Sequence, residues 1–325
     1  MSIRGAHFQT QHGGRWGIVC DMAFTRRPHF VWQLRTRTLA LGERTLLMQI
    51  VNLTPDSFSG DGLGCSSDSI SSAIDVALTA LDNGADILDF GAESTRPNAT
   101  PLGAEEEQQR LLAVLTGVLR LRPEALISVD TYHSQTARAA IEAGAEIIND
   151  VSGLLWDPAM AATAAELGCG LVLMHTRGRP QQWGGLPPLA AADVMPLVIA
   201  ELTTRLEAAR EAGIAAERIV LDPGFGFGKL GAANLTLLAR FAELHGLGRP
   251  LLAGVSRKKF LGDVVANIVA AKQPAGLPLA QARLQATTAA NVAAALAGAH
   301  ILRVHDLQAM REAAAIADAV LCAAG

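Results

Sequence analysis

A restricted set of polar and charged residues follows the apolar runs of this chain in order: Asn52, Glu93 and Arg96, Asp130, Asn149 with Asp150, His175, Asp222, Arg257 with Lys258, and Arg303 with His305. Their types suit two tasks. The forked guanidiniums of Arg96 and Arg303, with the imidazole of His305, make a clamp for a diphosphate. Asp130, Asn149 and Asp222 supply two carboxylates and an amide that read the edge of a donor-rich heterocycle, and a neutral ring with an amino group and a ring N–H matches that set better than a sugar does. In DPGFGFGK, Gly224, Gly226 and Gly228 let the backbone approach a planar ligand, and Phe225 or Phe227 offers a ring to stack on it. This is not a Walker loop, because the spacing from Gly224 to Lys229 is wrong and Leu230 follows. Neither a Ser-His-Asp arrangement nor a nucleophilic cysteine is found. Plain roles compete for each residue: Asp130 as the cap of a helix near Ser134, Asp150 as a loop brace, His175 as a satisfied core histidine. Independent caps, however, need not converge on one end of one fold.

The elements that would bring them together are eight apolar runs, at 46–52, 85–91, 125–130, 146–151, 170–175, 219–224, 251–256 and 300–305. Helical periodicity fills the intervals, at 67–83, 104–120, 134–143, 158–167, 192–212, 234–245, 279–297 and 307–322, and glycines 84, 144, 168, 213, 246 and 298 stand where helices should stop. Such alternation predicts a single (β/α)8 TIM barrel whose site lies at the carboxyl ends of the strands, with phosphate groups beside strands seven and eight. Residues 1–29 read as an N-terminal extension without a clear period, and 30–325 as the barrel. FVWQLRTRTLAL followed by Gly42 and Glu43 suggests a hairpin, turning at that pair, that covers the barrel bottom. The loops NLTPDSFSGDGLG and AESTRPNATPLG are longer than barrel closure demands and suit a lid.

Bulk properties narrow the class. The net charge is −4 with cations spread along the chain, so neither a nucleic-acid nor an anionic-membrane footprint is indicated. The first residues lack the apolar core of a secretory signal, and no apolar stretch is long enough to span a bilayer. The four cysteines are far apart and form no CxxC pair, which points to a reduced, cytoplasmic setting.

The segments IVNLTPDSFS, GAESTRP, SVDTY, INDVSG, LMHTRG, LDPGFGFGK, GVSRKKFLG and LRVHD, in this order from about Phe30 onward, resemble the dihydropteroate synthases. The resemblance implies condensation of a dihydropterin carrying a methyl diphosphate with 4-aminobenzoate, assisted by Mg2+, in a homodimer whose partners are these small molecules. By the same resemblance Asp130, Asn149, Asp222 and Lys258 are the pterin pocket, with Met174 and Phe227 as its apolar walls. Arg96, Arg303 and His305 are the diphosphate ligands, Asn52 the protein contact to Mg2+, and Phe58, Thr95, Pro97, Phe227, Ser256 and Lys259 the aminobenzoate slot. Asp130, Lys258 and Arg96 are then the catalytic set. The chain departs from the family pattern at Gly60 and Asp61 of the first loop, at Ala92 in DFGAEST, and at Lys259. Two rivals are a pterin-dependent methyltransferase, which has no need of a diphosphate clamp, and a non-catalytic pterin-binding paralogue, which should have lost part of the set.

Overall fold

The computed structural model describes residues 24, 26–53, 67–93, 102–272 and 279–324. Strands β1 (Phe30–Gln33) and β2 (Thr38–Leu41) form an antiparallel hairpin. The remaining strands, β3 (Leu46–Asn52), β4 (Ile87–Gly91), β5 (Ile127–Asp130), β6 (Ile147–Asp150), β7 (Gly170–Met174), β8 (Ile219–Asp222), β9 (Leu252–Ala253) and β10 (Ile301–Val304), make one parallel sheet. Its order is β8-β7-β6-β5-β4-β3-β10-β9. The two outer strands meet through a parallel bridge of Leu221 with Leu251 and through Leu221 N–H donating to Pro250 O at 2.9 Å. The sheet is thus a ring, the barrel expected from the alternation. Strands β4 and β7 are buried at every position, as strands covered on both faces must be, with Asp89 the one charged residue among them.

Around the ring lie α1 (Ser67–Asp82), α2 (Ala104–Leu121), α3 (Ser134–Glu142), α4 (Met160–Leu167), α5 (Ala191–Glu211), α6 (Ala232–Ala239), α7 (Lys259–Lys272), α8 (Leu279–Leu296) and α9 (Leu307–Ala323). In α2 the charges follow the helix dipole, with Glu105, Glu106 and Glu107 in the first turn and Arg120 in the last. Two expectations about helices need correction. The helix foreseen over 234–245 ends at Ala239, and a tighter 3-10 stretch, Phe241–Leu247, carries Phe241 and Leu244 into the core. Gly246 therefore lies within that stretch, and Gly248, at φ 66°, ends it instead. The sequence reading places no helix between 256 and 279, yet α7 starts at Lys259 and buries Phe260 and Leu261.

The hairpin also turns at a different place. Leu34 N–H donates to Arg37 O, and the Glu146 carboxylate accepts Thr36 N–H at 2.9 Å, so the reversal falls between Gln33 and Thr38. Gly42, at φ 117°, then redirects the chain, and a Cβ there would stand 2.6 Å from Pro28 O. Strand β3 pairs with β4 and β10 instead of β2, since a strand buried at its first six positions is best placed with neighbours on both edges. Trp32, Leu34 and Leu41 pack on Leu46, Ile87, Ile147, Val172, Val220 and Leu252 near the amino ends of the barrel strands. Trp32 Nε1 donates to Arg218 O at 2.8 Å. The hairpin thus plugs the bottom. Arg27, inside the expected extension, belongs to the barrel: it is buried, donates to Thr45 Oγ1 and Ala299 O, and pairs with Asp318.

Candidate active site

With the bottom sealed, the carboxyl ends of the strands face the only end of the barrel where inward side chains are not covered by the hairpin. Its centre is Arg303 of β10. Its Nε donates to Asp89 Oδ2 and its Nη2 to Asp130 Oδ2, each at 2.6 Å. Asn149 Nδ2 donates to the same Asp89 oxygen at 3.0 Å. Asp89 was not foreseen, although a lone carboxylate inside the apolar run ILDFG is a signal that reading by strand ends passes over. Its second oxygen is buried without a partner among the described residues, an acceptor left open. Burial pushes the Asp130 carboxyl up to about 7, against the pull of Arg303 and with the repulsion of Asp89. Asp130 caps nothing: Ser134 N–H is taken by Asp157 Oδ2 at 2.8 Å. Asp150 does brace its loop, accepting Ser152 and Leu154 N–H.

Asp222 ends β8, 5% exposed, and its Oδ1 accepts Gly224 N–H at 2.7 Å. Burial raises its pKa, opposed by that N–H and by Lys258. Gly224 admits no side chain, since a Cβ would lie 1.9 Å from His175 O. The Lys258 ammonium stands 4.4 Å from the Phe227 ring centroid, and burial draws its pKa down to about 8, helped by Arg303 and resisted by Asp222 and Asp130. Phe227, Met174, Trp183 and Val151 form one apolar cluster. Phe225 is not part of it, because it stacks with Phe241 and Phe260 in the core, so Phe227 alone of the two is available to a ligand.

His305 Nδ1 is 3.0 Å from Ser256 Oγ, which also accepts His305 N–H. Burial and the cations Arg257, Arg303 and Lys258 bring His305 down to about 4, so at neutral pH it acts as a hydrogen-bonding imidazole without charge. Among the described residues no carboxylate orients the ring, since neighbouring Asp306 is paired with Arg257, so this hydroxyl–imidazole pair lacks the third member of a nucleophilic triad. Lys259 Nζ is 2.9 Å from Asp263 on an exposed helix face, away from the buried set. Glu93 accepts the Tyr132 hydroxyl on both oxygens. Asn52 is exposed at the end of β3. Phe58, Gly60, Asp61, Thr95, Arg96 and Pro97 lie outside the described residues.

Acceptors, two half-buried cations and an aromatic wall in one barrel mouth have the chemistry of a seat for a flat heterocycle with donors on its edge. The family model of the pterin binding enzymes matches residues 48–305. Dihydropteroate synthases of Synechocystis sp. and Escherichia coli are 38% and 39% identical to the chain, covering 86% and 85% of it and 91% and 92% of themselves. The chain belongs to the dihydropteroate synthases. A solved dihydropteroate synthase of Xanthomonas albilineans with 4-aminobenzoic acid superposes at a TM-score of 0.78, with 38% identity, over 90% of this chain and 98% of that one. The same organism's enzyme with 7,8-dihydropteroate gives a TM-score of 0.74 at 36% identity, over 90% and 98%.

For a dihydropteroate synthase the sequence-derived pterin set, Asp130, Asn149, Met174, Asp222, Phe227 and Lys258, falls at one barrel mouth. Of the diphosphate set, Arg303 spends two donors on carboxylates and His305 lies beside Ser256. Of the aminobenzoate set, Phe227 is in the aromatic wall, Ser256 points to His305 and Lys259 to Asp263. No group of three His, Cys, Asp or Glu side chains among the described residues is arranged to hold a metal. Asn52, exposed at the end of β3, offers one amide oxygen, a donor of the hard kind that Mg2+ takes.

Proposed function

We propose that the chain condenses 6-hydroxymethyl-7,8-dihydropterin diphosphate with 4-aminobenzoate to give 7,8-dihydropteroate and diphosphate. The observation that carries this is the bonded set of Asp130, Arg303, Asp89 and Asn149, with Asp222 and Lys258 electrostatically joined to it. Acceptors and donors alternate there as the edge of a pterin requires. The bond from the pterin methylene to the diphosphate oxygen breaks with its electron pair on the leaving group. The methylene is left with positive charge that the ring shares, and Asp130 is the carboxylate beside that ring. The amine lone pair of 4-aminobenzoate then forms the C–N bond, and the surplus amine proton passes to the phosphate oxygens or water. Fixed charges of this kind stabilise the developing cation without having to move.

Arg96 and His305, with whatever donors Arg303 keeps free, hold the leaving diphosphate. Asn52 would hold Mg2+, which neutralises charge on the leaving group when bound. Phe58, Thr95 and Pro97 complete the aminobenzoate slot. The chain acts in the cytoplasm as a homodimer, with the Ala-rich α8 and α9 as the contact; Ile316 and Val320 of α9 stand exposed there. Sedimentation of the purified protein tests that assembly.

The deciding experiment supplies the pterin diphosphate and 4-aminobenzoate and measures diphosphate release together with dihydropteroate. Diphosphate released without dihydropteroate, or pterin bound with no turnover, would remove the assignment, the second outcome favouring a non-catalytic paralogue. Methyl transfer from a methylated pterin would favour the methyltransferase.

A further inference from the structure

The glycine turn ends in a buried lysine that the reaction above does not use. Lys229 is 1% exposed. Its ammonium lies 2.8 Å from His175 Nδ1 and donates to Phe227 O at 3.1 Å. An ammonium only donates, so His175 Nδ1 accepts and the proton of the neutral ring sits on Nε2. That nitrogen is 3.1 Å from Glu201 Oε2 of α5, a carboxylate that reaches solvent. Burial holds His175 down at about 4, with Lys229 adding to the effect, in keeping with the neutral ring. The turn is pinned from its other side by Asn234, whose Nδ2 donates to Lys229 O at 2.6 Å and whose Oδ1 accepts Gly226 N–H at 2.7 Å. Phe227 lies between these anchors, with its carbonyl on Lys229 and its ring under Lys258.

A buried cation costs desolvation energy, and an apolar residue of the same length would be tolerated better. Its retention here calls for a task. We propose that Lys229, seated on His175 and Glu201, is a positioning residue that fixes the Phe227 ring, and through it the Lys258 ammonium, at the pterin pocket. The inference rests on the pterin reading given above. The charges around Lys229 are Asp222, Lys258, Glu201 and Arg177, and Arg205 acts on Glu201. Burial brings Lys229 down to about 7, with Lys258 among the cations that lower it further. Lys258 thus presses on Lys229 from the pocket side.

The test is Lys229→Met. A merely structural lysine predicts unchanged or raised Tm and unchanged pterin binding. A positioning lysine predicts the same Tm with KM for the pterin diphosphate raised roughly ten- to hundredfold and KM for 4-aminobenzoate, whose slot shares Phe227, raised less. His175→Ala should share the pterin defect, and His175→Asn, which keeps an acceptor for Lys229, should restore it. Glu201→Gln, on the solvent side, serves if Lys229→Met does not fold, and should show a smaller defect of the same pattern. Wild-type pterin KM in folded Lys229→Met, or in Glu201→Gln where that is the variant measured, overturns the proposal, as does failure of His175→Asn to rescue. If the wild-type protein itself does not bind the pterin diphosphate, the function proposed above fails instead.

Discussion

Replacing Arg303 by methionine would expose how much of the barrel mouth depends on one guanidinium. Arg303 is bonded to Asp89 and Asp130, and its own pKa is raised because both carboxylates outweigh the cost of burial. Arg303→Met leaves two carboxylates close together with no cation between them. Removing one member of a buried ion pair costs about 3–5 kcal/mol. The cost should depend on pH in a definite sense. Asp130 already sits at about 7, well above its unfolded value, and loses the cation that pulls it down. A carboxyl whose folded pKa is raised favours the folded state while protonated and loses that advantage as pH climbs through the folded pKa. Thermal unfolding of both proteins at pH 5.5 and pH 8 is the assay. The deficit of Arg303→Met should be several degrees at the higher pH and clearly smaller at the lower. An equal deficit at both pH values, or none, would show that the ion pairs do not stabilise the mouth as described.

Asp222→Asn should weaken binding of the pterin diphosphate by roughly ten- to hundredfold in calorimetry, because one oxygen facing the donor edge becomes a donor while the bond to Gly224 N–H is kept; unchanged affinity would remove Asp222 from the pocket. Trp32→Ala should cost about 3–5 kcal/mol of stability by emptying the barrel bottom. Turnover at a permissive temperature should stay near wild type, and a selective loss of activity would mean that the plug reaches the site. A chain beginning at Met22 should fold and turn over normally, whereas one beginning at Phe30 should lose stability by about 1–3 kcal/mol, since Asp318, Thr45 and Ala299 O lose Arg27. Equal melting of the two shortened chains would show that Arg27 is dispensable.

The strands were legible because a parallel barrel demands short apolar runs with polar ends, and 46–52 has the same bounds in sequence and structure. The seventh barrel strand shrank from 251–256 to Leu252–Ala253 because Pro250 has no N–H to offer and the chain leaves the sheet at Gly254. The site was legible as a set of strand-end residues. What each side chain bonds was not, since that depends on inward positions within strands. Asp89 draws Arg303 and Asn149 inward, and the cap of α3 comes from Asp157, beyond the following strand. Lys229 was read as the end of a loop motif. Its partners His175 and Glu201 come from β7's end and α5, a meeting that spacing along the chain does not reveal.

The ring of strands has one thin place. Neighbouring barrel strands elsewhere share a ladder, but β8 meets the β9 edge through a single bridge. Asp222 lies on one bank of that gap and Lys258 on the other. A molecule gripped by both acts as a rung across it, so occupancy and closure of the ring belong to one equilibrium. Amide hydrogens of 251–254 should exchange faster than those of β4 or β7 in the free protein, and slow down as the mouth fills. A ligand held by both would thus be mortar at the place where the wall is weakest.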